Sequence, residues 1–154
     1  MNKKFGKKNR NFLQGVFKPT HPEKYKGSLP IIYRSSLELK VMRWLDNNAN
    51  VTLWGSESVV IPYQSPIDKR LHRYFVDLVA NLKDKDGNIK KLLIEIKPFK
   101  QTIQPIFSST KKAKTIVYEQ TQWVTNQAKW QAAEAWSKTK GYKFIILTEK
   151  HINA

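Results

Sequence analysis

Between Phe75 and Pro98 the chain reads FVDLVANLKDKDGNIKKLLIEIKP. Two runs of β-branched and long apolar residues flank a centre rich in Asp, Lys and Gly. That pattern constrains the stretch to a β-hairpin, with arms Arg73 to Leu82 and Lys91 to Lys97. The turn decides what the hairpin presents. A three-residue loop of Lys85, Asp86 and Gly87 puts glycine at the left-handed position such loops need and pairs Asp84 with Asn88. Counting back, Asp77 then stands opposite Glu95 on one face. A two-residue Asp86-Gly87 turn sets the two on opposite faces instead. Turn chemistry permits the first register without forcing it.

Side chains alternate along a strand, so Leu93, Glu95 and Lys97 share one face, and Leu92, Ile94 and Ile96 the other; on the first arm Asp77 goes with Phe75 and Val79. Two carboxylates directly opposite each other destabilise a hairpin unless a cation lies between them. Mg²⁺ suits the place, because it takes one or two carboxylates together with waters and phosphate, and the Ile96 carbonyl can complete its shell. Lys97 would stand about 7 Å along the strand from Glu95, where its ammonium can hold an attacking water or meet charge growing on a phosphate. The alternative is a solvated ion-pair set. Arms this apolar do not fit a solvent-washed hairpin, and buried strands rarely carry carboxylates without a role.

A helix precedes the hairpin. In RSSLELKVMRWLDNN, Leu37, Val41, Trp44 and Leu45 recur at helical spacing, which predicts an amphipathic helix from Ser35 to about Asn48. Ser35 and Glu38 fit a capping box. Glu38 also borders the stripe of Val41, Met42 and Leu45, from which its carboxylate can point over the sheet toward Asp77 and Glu95. Val51 to Trp54 and Ser58 to Tyr63 read as short strands. After Pro98 the chain is irregular to about Ser109. A helical region follows to about Lys138, in one piece or in two that break near Thr125-Asn126. Within it Trp123, Trp130, Ala133 and Trp136 read as core-facing. Gly141 ends it, and Tyr142 to Thr148 is a buried last strand. The order predicts an α/β domain on a central mixed sheet.

The 154-residue chain carries 28 Lys and Arg against 12 Asp and Glu, a net charge of +16. Such a field opposes compaction unless a polyanion relieves it. Nucleic acid is therefore the favoured partner over a membrane, for which no basic amphipathic helix with an aromatic face stands out. Residues 1 to about 30 concentrate the charge: Lys3, Lys4, Lys7, Lys8, Arg10, Lys18, Lys24 and Lys26 face only Glu23, with Phe5, Phe12, Leu13, Phe17 and Tyr25 interleaved. They read as a partly ordered basic segment ahead of a domain over residues 31–154, either lying along phosphates or free as a tail. Because the periodic elements begin after it, deleting residues 1–26 is expected to leave the body folded, unless Phe12, Leu13 and Phe17 pack on the body instead of on bases. There is no cysteine, hence neither disulfides nor a cysteine zinc site. His21, His72 and His151 are scattered and suggest no metal cluster. No apolar run approaches membrane-spanning length and no signal-peptide core is present, so a soluble intracellular protein is expected.

Glu on the first helix, Asp on a strand and Glu-x-Lys on the next, here Glu38, Asp77 and Glu95-Ile96-Lys97, resembles the PD-(D/E)xK nuclease pattern. The order α-β-β-β-α-β resembles that superfamily's fold, although Val76 stands where its name has proline. Over most of the chain, YRSSLELKVMRWLD, FVDLVA…LLIEIKP and NQAKWQAAEAWSKTKGYKFIILTEK resemble the head completion nucleases of T-even-type tailed phages, themselves similar to TnsA-like endonucleases. The resemblance implies a restriction-endonuclease-like fold, a central mixed sheet flanked by helices. It implies a metal-dependent DNA endonuclease acting in head completion after packaging, in the host bacterial cytoplasm or on the virion, with head or portal proteins as further partners. The implied metal ligands are Asp77, Glu95, the Ile96 carbonyl and Glu38, with Mn²⁺ able to replace Mg²⁺, and Lys97 would assist the nucleophile. Candidate DNA contacts are Lys3, Lys4, Lys7, Lys8, Arg10, Arg34, Arg73, Lys111, Lys112, Lys114, Gln127 and Lys129. Two other readings remain open: a non-catalytic basic DNA-binding virion protein, and a structure-selective, junction-resolving nuclease on the same fold.

Overall fold

The structure, a computed structural model, describes residues 14–152. Lys3, Lys4, Lys7, Lys8 and Arg10, with Phe5, Phe12 and Leu13, lie outside the described residues. In chain order the elements are β1 (Gly15–Phe17), a 3-10 turn at Pro22–Lys24, β2 (Ile31–Tyr33), α1 (Ser36–Asn47), β3 (Val51–Ser56), β4 (Val60–Gln64) and β5 (Leu71–Phe75). There follow β6 (Leu78–Lys83), β7 (Ile89–Ile96), a 3-10 turn at Phe99–Gln101, α2 (Ala113–Lys140), β8 (Tyr142–Leu147) and the single turn α3 (Glu149–Ile152).

Four strands form the central sheet in the order β3-β6-β7-β8, the first three antiparallel neighbours and β8 parallel to β7. A parallel neighbour needs a crossover, and α2 supplies it. In the chain, helix α1, strands β3, β6 and β7, helix α2 and strand β8 build this α/β core around a mixed sheet, as expected from the sequence. Strand β4, at the expected strand Ser58 to Tyr63, pairs instead with β5 in a separate two-stranded sheet. The alternation of β7 sorts its side chains between two cores. Ile94 and Ile96 pack with Val41, Met42, Leu45 and Trp54 on the α1 side. Leu93 packs with Tyr74, Trp130, Ala133 and Phe144 on the α2 side.

The β6–β7 turn is the three-residue one. Asp84 N–H donates to the Asn88 carbonyl at 2.8 Å, Gly87 N–H to the Asp84 carbonyl at 3.1 Å, and Gly87 has φ +82°. Leu78 therefore faces Ile94, and the ladder runs to Lys83 facing Ile89. The first arm, however, is not one strand from Arg73 to Leu82. It divides at Val76 and Asp77 into β5, which pairs with β4, and β6, which pairs with β3 and β7. One straight strand cannot serve both sheets, and the bend is held by Val76 N–H to the Val59 carbonyl and Glu57 N–H to the Asp77 carbonyl.

Three further differences have local causes. In α1 the buried stripe is Val41, Met42 and Leu45, and Trp44 is about half exposed. At 100° per residue, Trp44 falls on the stripe's edge. α2 is one helix of 28 residues with no break at Thr125-Asn126. Thr and Asn cost only a few tenths of a kcal/mol in a helix interior, and Asn126 is buried. It ends at Gly141, whose left-handed φ of +77° carries no Cβ penalty. Finally, residues 14–26 are woven into the body. β1 pairs with β2, Phe17 lies in the core against Trp54, and Lys26 N–H donates to the Trp54 carbonyl at 2.8 Å. Removing residues 1–26 would strip this wall from the core, contrary to the expectation from periodicity. The contacts are long-range and leave no periodic trace.

Candidate active site

Where β5 bends into β6, Asp77 comes to lie beside the C-terminal end of β7. Its Oδ2 accepts the Ile96 N–H at 2.8 Å. Glu95, on the α2-facing side of β7, is 5% exposed. It accepts a hydrogen bond from the Tyr74 hydroxyl, and its Oε1 lies 3.7 Å from Lys97 Nζ. Burial raises the Asp77 carboxyl well above the usual carboxylate range, and the Glu95 charge raises it further. Burial likewise raises Glu95, opposed first by the Tyr74 hydrogen bond and then by Lys97 and Lys129. The Tyr74 hydroxyl is itself driven up by burial and by the Glu95 charge. The result is a covered like-charge pair flanked by cations.

Lys129, on α2, is half-buried above this pair, its ammonium 5.6 Å from the Tyr74 ring centre and 5.9 Å from that of Tyr63. Desolvation lowers its pKa, as does Lys97, while Glu95 and Asp77 oppose the fall. Its cation is thus held by two aromatic faces and aimed into the carboxylate field.

Glu38 stands on the other side of the sheet, near the start of α1. Ser35 Oγ accepts Glu38 N–H at 3.1 Å, and Glu38 Oε2 accepts Arg34 N–H at 2.9 Å. The carboxylate thus reaches back past the helix start, a capping arrangement. It is also half-buried, and burial raises its pKa. Its field touches Asp77 and Lys97. Among the described residues no three carboxylates or histidines are gathered closely enough to hold one ion, so the acids that come together are Asp77 and Glu95.

The other candidate contacts are dispersed. Arg34 pairs with Glu57, and the Arg73 guanidinium stacks over Phe75 at 5.5 Å. Lys111 is engaged with Glu119 at 2.9 Å. Lys112 and Lys114 are exposed at the start of α2, and Gln127 is half-buried one turn before Trp130. Tyr74 and Tyr63 are the residues that sequence reasoning missed. Alternation along a single arm assigns Tyr74 to the face away from Asp77; the bend at Val76 and Asp77 overturns that parity.

The donor set can be tested against a divalent cation. Asp77 and Glu95 offer hard oxygen atoms in a covered place, with their ionised forms opposed by burial and, at Asp77, by mutual repulsion. A hard cation that accepts one or two carboxylates and keeps waters for the rest relieves both. These two carboxylates fit a hard divalent cation.

Comparison with known proteins adds two findings. Residues 48–149 match the family model for the TnsA-like endonuclease N-terminal domain. The chain is also 38% identical over 144 residues to the head completion nuclease of Enterobacteria phage T4, covering 91% of this chain and 93% of that protein. The family match contains Asp77, Glu95 and Lys97, and begins after Glu38.

Proposed function

The chain belongs to the TnsA-like endonucleases, and from that premise we propose that it is a Mg²⁺-dependent DNA endonuclease acting in phage head completion after packaging. One observation carries the reading: two carboxylates, Asp77 and Glu95, share a covered site at the end of β7, with the Lys97 ammonium 3.7 Å from Glu95. Asp77, Glu95 and the Ile96 carbonyl would hold the ion, and Glu38 would add its field or hold a water. Bound there, the ion would lower the pKa of water and offset charge on the phosphate. Mn²⁺ should substitute.

The chain's own groups do the positioning. Ile96 N–H holds Asp77, and the Tyr74 hydroxyl holds Glu95, so neither carboxylate swings away. Lys97 fixes the nucleophile or meets the charge that grows on the phosphate. Lys129, half-buried and, among the described residues, without a carboxylate partner within ion-pair distance, meets a phosphate from the α2 side. DNA is the substrate that a charge of +16 favours. Lys3, Lys4, Lys7, Lys8 and Arg10 would extend its contacts, together with Arg34, Arg73, Lys112, Lys114 and Gln127. Head or portal proteins, met in the host cytoplasm or on the virion, complete the setting.

Incubation with supercoiled plasmid and linear DNA tests the reading. Opening of closed circles with Mg²⁺ or Mn²⁺ and none in EDTA is expected. Binding without cleavage under every ion would favour a non-catalytic DNA-binding protein.

A further inference from the structure

A second concave surface is built from the segment that follows Lys97 in the chain. Directly after Lys97, residues 99–106 leave the sheet and run along the N-terminal half of α2, and the two enclose a groove of about 490 Å³. Its walls include Ile103, Ile106, Tyr118 and Trp123. Ile106 is 73% exposed and Tyr118 64%, and Phe107, next along the loop, is 75% exposed. Single exposed apolar side chains are ordinary, whereas several gathered around one groove mark a docking surface.

The groove has a built frame. Lys111 Nζ donates to the Ile106 carbonyl at 3.2 Å and to Glu119 Oε2 at 2.9 Å, tying the loop to the helix. With Glu119 engaged in this way, the charges left around the groove are cationic. Lys100 lines it, and Lys112 and Lys114 stand exposed where α2 begins. Buried Asn126 is part of its lining, and Lys129 of the acid-pair site follows Asn126 by one turn of α2.

Apolar and aromatic walls under a lysine rim suit a strand whose phosphates lie on the rim and whose bases have left the stack. A paired base in a continuous duplex has no free face to offer them. We propose that this groove receives unstacked nucleobases, with Ile106 and Phe107 wedged where the strands part. DNA with unpaired bases beside the cleavage point, such as a frayed end, an overhang or a fork, is then the preferred substrate class. This deepens the endonuclease reading and rests on it.

The test measures binding of the full chain in EDTA to a short blunt duplex and to the same duplex bearing an unpaired arm with 2-aminopurine. The arm should tighten binding by about 5- to 150-fold for each base stacked and change the 2-aminopurine fluorescence. Ile106→Ser with Phe107→Ser, and separately Tyr118→Ser, should lose that preference while keeping duplex affinity and the wild-type melting temperature, since all three side chains are exposed. Equal wild-type affinity for both DNAs, or a preference that survives the substitutions, overturns the proposal. So does a dimer that these substitutions convert to monomer with the DNA preference unchanged, which assigns the groove to a second copy. Cleavage with Mg²⁺ is scored separately. A wild type that prefers the arm but cuts nothing supports the groove and removes the endonuclease reading; one that cuts without arm preference removes the groove alone.

Discussion

Lys24→Met tests how the N-terminal segment is joined to the body. α1 ends without a cation in its last turn, leaving its terminal carbonyls and negative pole to be satisfied from elsewhere. Lys24 Nζ fills that place. It donates to the carbonyls of Leu45 at 2.9 Å, Asp46 at 2.8 Å and Asn48 at 2.7 Å. The buried Asp46 carboxylate completes the join by accepting Thr20 N–H at 2.7 Å and His21 N–H at 3.0 Å. Hydrogen bonds from a charged donor are each worth about 1.5–3 kcal/mol. Lys24 is only half-buried, so water can replace part of what is lost, and methionine keeps most of the aliphatic stem. The net cost is about 2–3 kcal/mol, a fall in melting temperature of roughly 5–10 °C for a chain of this size. Lys18→Met, an exposed lysine in the same segment, should stay within about 0.5 kcal/mol of wild type. Thermal melts of the three proteins decide the matter. If Lys24→Met melts with Lys18→Met, the three bonds do not anchor the segment.

Three further outcomes follow from the acid pair and its neighbours. Asp77 and Glu95 have folded pKa values above their unfolded ones, so between the two values the folded state binds more protons, and stability falls as pH rises. In EDTA, Asp77→Asn keeps an acceptor for Ile96 N–H and removes the charge; its melting temperature should gain on wild type as pH rises above the usual carboxylate range, and a gap that does not change with pH contradicts the assignment. Tyr74→Phe removes the hydroxyl that holds Glu95, a loss of about 1–3 kcal/mol, and should move the rise of cleavage rate to higher pH; an unmoved profile denies Tyr74 that role. Phe17→Ala should destabilise by about 3–5 kcal/mol, as an aromatic removed from a core does; a melt like that of wild type would show the segment to be loosely attached.

The features legible in the sequence are those fixed by neighbours along the chain. Asp84 and Gly87 set the hairpin turn, whose register runs back to Leu78 opposite Ile94, and Gly141 marks the end of α2. The bend at Val76 and Asp77 was hidden because β4–β5 pairing and β6–β7 pairing compete for one run of alternating residues, and alternation cannot register a change of sheet. Tyr74 was hidden with it. Glu38 carried two meanings, a capping residue and an acid near the site, and its local hydrogen bond expresses the first directly while only its field reaches Asp77. Lys24 and Phe17 act on residues more than twenty positions away, which composition alone reads as a basic tail.

The most direct measurement of the central claim is the rate of plasmid opening with Mg²⁺ for wild type, Asp77→Asn and Lys97→Ala, beside the DNA affinity of each. Wild type should cut with Mg²⁺ and not in EDTA. Both variants should lose cleavage yet hold DNA within about threefold of wild type, since phosphate contacts made by lysines elsewhere dominate affinity. Cleavage by either variant at near the wild-type rate, with its fold intact, would place the chemistry somewhere other than the end of β7.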